Sequence, residues 1–356
     1  MRSYLLFAIA LAFAFASGNG ARAADFCDTL STEALKAQCV AAKTNRSAPE
    51  EVARAQDGGP HIGWVYWAAL SPDGKSVASA GKDQTVKLWD FASGRFIRNL
   101  GKHDGWVRRT VFHPDGKVVY SIADNEGLSE LDAATGETRR RLPLPPGENK
   151  QWFGMALSPD GRFIALSSRE SAVLILDVAA WALKRQVAVG DVTDGMVFSP
   201  RNRTLLTSGN SKIASWNPET GERVGEMPIS LRTARLAISP DGSKLVVAGR
   251  DETQVREIET GDLKQAVPAK SIPAVFDAAI TPDNSILVTC AEAPAAFDIE
   301  TGRPRGRFGA MTDNCHSVAI TGDGRFAVTS HNGPDIRVWD MATGAQVRRL
   351  GEPPAQ

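Results

Sequence analysis

Hydrophobic and polar positions alternate in short bursts along most of this chain, and the bursts recur at a nearly constant spacing. In the first clear unit Val65 to Leu70 is a mostly apolar run that leads into Ser71-Pro72-Asp73-Gly74. Proline fixes φ and glycine accepts a positive φ, so the chain can reverse there. Ser76 to Ala80, Thr85 to Trp89 and Arg95 to Leu100 follow as three more strand-like segments. No stretch between residues 61 and 350 carries the periodicity of a long amphipathic helix.

The turn returns six more times, with Pro114, Pro159, Pro200, Pro240, Pro282 and Gly322 in the place of Pro72. Successive copies lie 42, 45, 41, 40, 42 and 40 residues apart, a regularity that marks an internal repeat. A second marker sits at a fixed distance behind each turn: an apolar residue, Asp, two residues, then Thr/Ser-Gly. Trp89-Asp90 with Ser93-Gly94 and Trp339-Asp340 with Thr343-Gly344 are the fullest copies. The third copy, Leu176-Asp177, has Ala180-Trp181 where the Gly is expected, and the fifth, around Glu257 to Gly261, is the most eroded.

Four short strands per repeat of about 40 residues is the blade of a propeller. The expected fold is therefore all-β: a seven-bladed β-propeller of four-stranded antiparallel blades over residues 61–350, with a short tail at 351–356. A blade cannot bury both apolar faces alone, so each must lean on two neighbours and the ring must close. Ala345 to Leu350 supplies an outer strand for the last repeat, so closure needs no strand from the N-terminal side.

At these residues the sequence resembles the WD40 repeat family, over about four-fifths of the chain. The resemblance implies a scaffold for protein or peptide partners, used as a monomeric propeller. It also implies a buried hydrogen-bonded set in the best repeat, made of His61, Ser79, Asp83 and Trp89. The second repeat keeps the histidine as His103 but has Leu131 for the Trp, and repeats three to seven lack the histidine at that place.

The chain ahead of the repeats differs. Arg2 precedes an unbroken apolar run from Leu5 to Ala16, and Ala21-Arg22-Ala23 fits signal-peptidase cleavage, so residues 1–23 read as a signal peptide. The run is shorter than the roughly 20 apolar residues of a membrane span, so an exported protein, periplasmic or secreted, is expected. Residues 24–60 read as an arm with a short Ala-rich helix over Thr32 to Lys43, then an irregular linker. Export gives the four cysteines a meaning: of three possible pairings, Cys27–Cys39 with Cys290–Cys315 is preferred. Cys290 ends the second strand of repeat six and Cys315 begins the first strand of repeat seven, so a bridge there would clamp two blades.

Charge narrows the partners. Arg2 and Arg22 leave with the signal peptide, so 39 of the 41 basic residues remain against 41 acidic ones. A near-neutral chain has no broad electrostatic hold on nucleic acid, which is not expected as a partner. No nucleophile elbow, phosphate loop, zinc-protease motif or metal-type cysteine spacing is present, so no enzyme, cofactor or metal is expected.

The remaining candidates cluster where inner strands begin. Trp64, Tyr66, Trp106, Trp152 and Phe153 precede or open the first strands of repeats one to three, and Arg108 and Arg232 lie at matching places. Aromatic and Arg side chains dominate interface energies, which suggests a partner-binding patch; the competing reading is that these rings wedge between blades. Asp194, Asp277 and His316 occupy the corresponding channel mouth, which supports an alternative: a propeller enzyme, lactonase-like or dehydrogenase, with a small-molecule site there. His331 is expected in a solvated loop after the second strand of repeat seven.

Overall fold

The computed structural model describes residues 59–144, 152, 154–168, 171–190, 193, 195–209, 211–231, 235–249, 252–268, 275–309 and 314–351. The expected signal peptide and N-terminal helix, with Cys27, Cys39, Phe153, Asp194 and Arg232, fall outside these residues.

Twenty-eight strands in chain order form seven four-stranded antiparallel sheets. Blade one is β1 (Val65–Leu70), β2 (Ser76–Gly81), β3 (Val86–Asp90) and β4 (Phe96–Asn99). Blade two is β5 (Val107–Phe112), β6 (Val118–Ala123), β7 (Gly127–Asp132) and β8 (Thr138–Leu142). Blades three to six run from β9 (Gly154–Leu157) to β24 (Pro304–Arg307). Blade seven is β25 (Cys315–Ile320), β26 (Phe326–His331), β27 (Ile336–Asp340) and β28 (Gln346–Leu350). The first strands touch in sequence around the ring, β25 meeting β1, so the seven-bladed propeller is closed.

Local chemistry explains the two repeat markers. Ser71 Oγ donates to Asp73 Oδ1 at 2.6 Å and accepts from the Ser76 amide at 2.9 Å, while Gly74 turns at φ +69°. At the second marker Asp90 accepts from the Ser93 amide at 2.7 Å, and Gly94 takes φ +72°. Blade three keeps this turn without glycine, because Trp181 itself enters the left-handed region at φ +50°.

Among the described residues a hydrophobic cluster fills every junction between successive blades. Val65, Val77 and Trp89 of blade one, for example, pack with Val328, Ile336 and Val338 of blade seven. Removing each such side chain from water stabilises by about 1.5–3 kcal/mol, which is why no blade stands alone. As expected, the ring closes without strand exchange. Its seam is packed by that cluster and tied by Val65 N to Gly333 O (3.2 Å), Ala68 N to Ser317 Oγ (3.0 Å) and Gly351 N to Gly94 O (3.0 Å).

Two expectations need correction. His331 is the last residue of β26 and is fully buried, not in a solvated loop. The strand runs one residue further than its alternation suggested, and that residue turns its imidazole inward to Thr329 Oγ1 at 2.7 Å. Trp152 is 5% exposed and packs with Tyr120, Ile122 and Leu166 between blades two and three, so it belongs to the core rather than to an open patch.

Candidate functional site: an aromatic and cationic channel mouth

Inner strands begin at one end of the ring, and three of them open with the same irregularity. The register of β1 with β2 shifts between Val65 and Trp67, of β5 with β6 between Val107 and Arg109, and of β25 with β26 between Cys315 and Ser317. Tyr66, Arg108 and His316 are the extra residues. A bulge takes its residue out of the alternation and re-aims the side chain. Here the three are brought together at the mouth instead of being dealt to opposite blade faces.

Tyr66 sits at the centre of the group. Its ring centroid is 6.2 Å from Trp64, 6.2 Å from Trp106 and 5.9 Å from His316. His316 also meets Trp64 at 5.9 Å and Phe276 at 5.8 Å, so blades one, two, six and seven all contribute. Cations lie over these rings. Lys82 Nζ is 5.6 Å from the Trp64 centroid and 5.0 Å from that of Trp106, and the Arg108 guanidinium is 4.8 Å from Tyr66 and 5.0 Å from Trp106. Such contacts contribute about 0.5–2 kcal/mol each and hold ring and cation in fixed relation.

Polar partners fix the remaining freedom. Arg108 Nη2 donates to Asp124 Oδ2 at 2.7 Å and its Nε to Asp124 Oδ1 at 3.0 Å, a two-point grip. His316 Nε2 pairs with Asn332 Oδ1. Burial holds the His316 imidazole below its ordinary pKa, with the Asn332 contact opposing and Arg235 adding to the effect. Burial likewise raises the Tyr66 phenol, against Arg108. Trp64, by contrast, is 42% exposed. The mouth therefore offers a preorganised surface: one large ring open to solvent, supported by rings and cations that are already immobilised.

Of the sequence-derived patch residues, the structure brings together Trp64, Tyr66, Trp106 and Arg108. It joins to them His316, which the sequence reading had placed in the alternative channel site. Lys82, Asp124 and Asn332 were missed, although all three stand one residue past the second strand of their blade, a fixed offset that could have found them. Asp277 has a different task. Its Oδ2 accepts from the Val318 amide at 2.9 Å, joining blade six to blade seven as Ser317 joins seven to one. Though its residue surface is not fully closed to solvent, the carboxyl is ringed by protein, and burial raises its pKa to about 6 against the pull of Arg109, the Val318 N–H and Arg235. No group of three or more His, Cys, Asp or Glu suited to a metal ion exists among the described residues.

The buried set implied by the resemblance is assembled in blade one. Trp89 Nε1 donates to Ser79 Oγ at 2.8 Å, Ser79 Oγ meets His61 Nε2 at 2.7 Å, and His61 Nδ1 meets Asp83 Oδ1 at 3.0 Å. Cys290 and Cys315 are fully buried and at disulfide distance, their Cα atoms 5.1 Å apart. Phe276 N donates to Cys290 O at 2.7 Å and His316 follows Cys315, so this pair underlies two residues of the mouth.

Comparison with known proteins agrees with the repeat. A family described as WD domain, G-beta repeat matches residues 59–90, which is blade one through its tryptophan. The chain is similar to the WD repeat-containing protein WDS homolog of Arabidopsis thaliana, 26% identical over 205 residues, which are 55% of this chain. It spans 39% of the length of that curated relative.

Proposed function

We propose that this protein is an exported WD40-repeat scaffold that binds a protein or peptide partner at the channel mouth formed by Trp64, Tyr66, Trp106, Arg108 and His316. One observation carries the reading: rings and cations from four blades gather around Tyr66 and His316, and these two support an exposed indole, Trp64. Rigid aromatic surface beside arginine is the composition of interface hot spots, and preorganisation lowers the entropy lost on binding. The similarity to a WD repeat-containing protein supports a binding role over an enzymatic one. Export is supported by the apolar run and cleavage site at the N-terminus, and by the paired Cys290 and Cys315.

The test is side-by-side capture with the wild-type protein and a Trp64→Ala/Trp106→Ala variant, followed by mass spectrometry. A partner held by the wild type should be lost from the variant, at unchanged melting temperature. A partner retained equally by both moves the site elsewhere.

A further inference from the structure

The outer strands reveal a second surface, independent of the channel mouth. At one register position, opposite the third strand and next to its bulge, five blades carry a long side chain that crosses to the following blade. These are Arg98, Arg140, Arg185, Gln265 and Arg348, opposite Leu88, Glu130, Ile175, Val255 and Val338. Arg140 donates to Val178 O at 3.4 Å, Arg185 to Thr220 O at 3.1 Å and Arg348 to Phe91 O at 2.9 Å, each acceptor belonging to the next blade. Arg98 and Gln265 lie against the next blade's turn glycines, Gly136 and Gly302.

Two blades have glycine there: Gly225 opposite Ser215 in blade four and Gly306 opposite Ala296 in blade six. The junction behind each opens into a side groove, one of 390 Å³ lined by Gly225 and one of 650 Å³ lined by Gly306. In the first, Met227 has swung over, 3.3 Å from where a Cβ on Gly261 would stand, and part-fills the slot. In the second, Phe308 stands in the place of Met227 but lies lower, 3.9 Å from where a Cβ on Gly344 would stand, and a Cβ on Gly306 would meet nothing within 4 Å. Its floor is apolar, from Ala296, Phe308 and Met341. Arg305 at its edge is paired with Asp298, and Asp340 accepts hydrogen bonds within its own turn. Arg307 and Arg325 are exposed on the rim and form no ion pair with a carboxylate among the described residues, although Arg325 lies near enough to Asp323 and Asp340 to lower both carboxyls.

We infer that the groove between blades six and seven is a docking site for an acidic peptide segment of a partner protein, seated by one methionine-like side chain in the slot above Gly306. The chain itself shows what the slot accepts, since five long unbranched side chains occupy it in other blades and Met227, from two residues further on, part-fills it in blade four. The two arginines select carboxylates on either side of that anchor. This is binding along a groove, as linear segments are commonly held.

The experiment is selection of a phage-displayed random dodecapeptide library on the full chain, with fluorescence polarisation of the enriched peptides. Enrichment of a Met or Leu flanked by Asp and Glu is expected. Binding should weaken at least about tenfold, roughly 1.4 kcal/mol, in Arg307→Glu/Arg325→Glu, and should persist in Trp64→Ala/Trp106→Ala. Both arginines are exposed, so the charge-reversed protein should melt with the wild type; Gly306→Gln, which closes the slot from within, should abolish binding independently, with its melting temperature measured alongside because Gly306 stands at φ +153°. No enrichment, enrichment of basic peptides, or acidic peptides that bind the charge-reversed protein within about threefold would overturn the inference. Loss of these peptides in the Trp64→Ala/Trp106→Ala protein alone would overturn it too, and would speak for the channel mouth.

Discussion

Blades one and seven meet at the ring-closing seam, and each anchors a buried indole on a strand hydroxyl beside an imidazole. In blade one the imidazole arrives from a loop: His61 reaches Ser79, and Asp83 holds its far nitrogen. In blade seven it comes from the strand itself. Trp339 Nε1 donates to Thr329 Oγ1 at 2.7 Å, and His331, two residues further along, meets the same oxygen. The difference lies in what stands behind the ring. Asp83 completes a relay in blade one, whereas His331 Nδ1 is buried without a hydrogen-bond partner. The same packing problem has thus been solved twice, once with a charge to orient the histidine and once without. Only the first solution fixes which nitrogen carries the proton.

The largest test removes that charge. Burial pushes the Asp83 carboxyl up, but His61, the Ile62 amide and the Thr85 hydroxyl together hold it below the usual carboxylate range. Asp83→Ala should therefore leave several buried donors unsatisfied and cost about 3–5 kcal/mol, read as a fall in the guanidinium unfolding midpoint. A loss below about 1 kcal/mol would show that the relay adds little to the packing of Trp89.

Acid should separate the two blades more gently. Burial first, then the charge of Arg337, lowers the His331 pKa to about 3, from an ordinary 6.5. His103 in blade two is lowered to about 4, by burial and then by Arg141. As pH falls below 6.5 the unfolded chain takes up protons that these folded histidines refuse. Stability is then lost progressively down to the folded pKa. At 1.36 kcal/mol per pH unit, His331 alone removes about 3 kcal/mol between pH 6.5 and 4. Asp83 works in the same sense but in a lower window. Its contribution is intact above the ordinary carboxylate pKa and disappears only as pH drops through its own depressed value. Unfolding followed against pH should flatten over pH 4–6.5 in His331→Gln. An unchanged slope would mean that His331 is protonated in the fold.

Much of this was legible in the sequence, because the turns are specified locally. Pro72, Asp73 and Gly74 dictate a reversal wherever they stand, so blade number, strand order and closure by β28 follow from spacing alone. The tetrad of blade one was legible through the family resemblance, whose pattern His61, Ser79, Asp83 and Trp89 match in residue type and place. What escaped depends on register and on neighbours. One residue's shift put His331 inside rather than in solvent. The bulges that gather Tyr66, Arg108 and His316 leave no compositional trace, and Trp152 is as aromatic as Trp64 yet lies under a neighbouring blade. Gly225 and Gly306 read as ordinary outer-strand residues until the other five blades show what is missing beside them.

The smallest effect isolates why the two solutions exclude each other. Gly81 in blade one stands where blade seven has His331. A Cβ there would lie 2.6 Å from His61 Nδ1 and 2.7 Å from Asp83 Oδ1, closer than such atoms approach. With Asp83 holding the ring, blade one must therefore leave this strand position bare, whereas blade two, whose loop His103 pairs with Glu126 instead, carries Ala123 there, and blade seven fills it with the imidazole itself. Gly81→Ala should cost about 1–2 kcal/mol, the scale of mild overpacking. In a His61→Ala background the same change should cost less than half as much, because the contacts with the ring have gone and Asp83, no longer held by it, can turn aside. Thermal unfolding of the four proteins gives the coupling directly. Additive losses would mean that Gly81 is required by its backbone rather than by the ring above it.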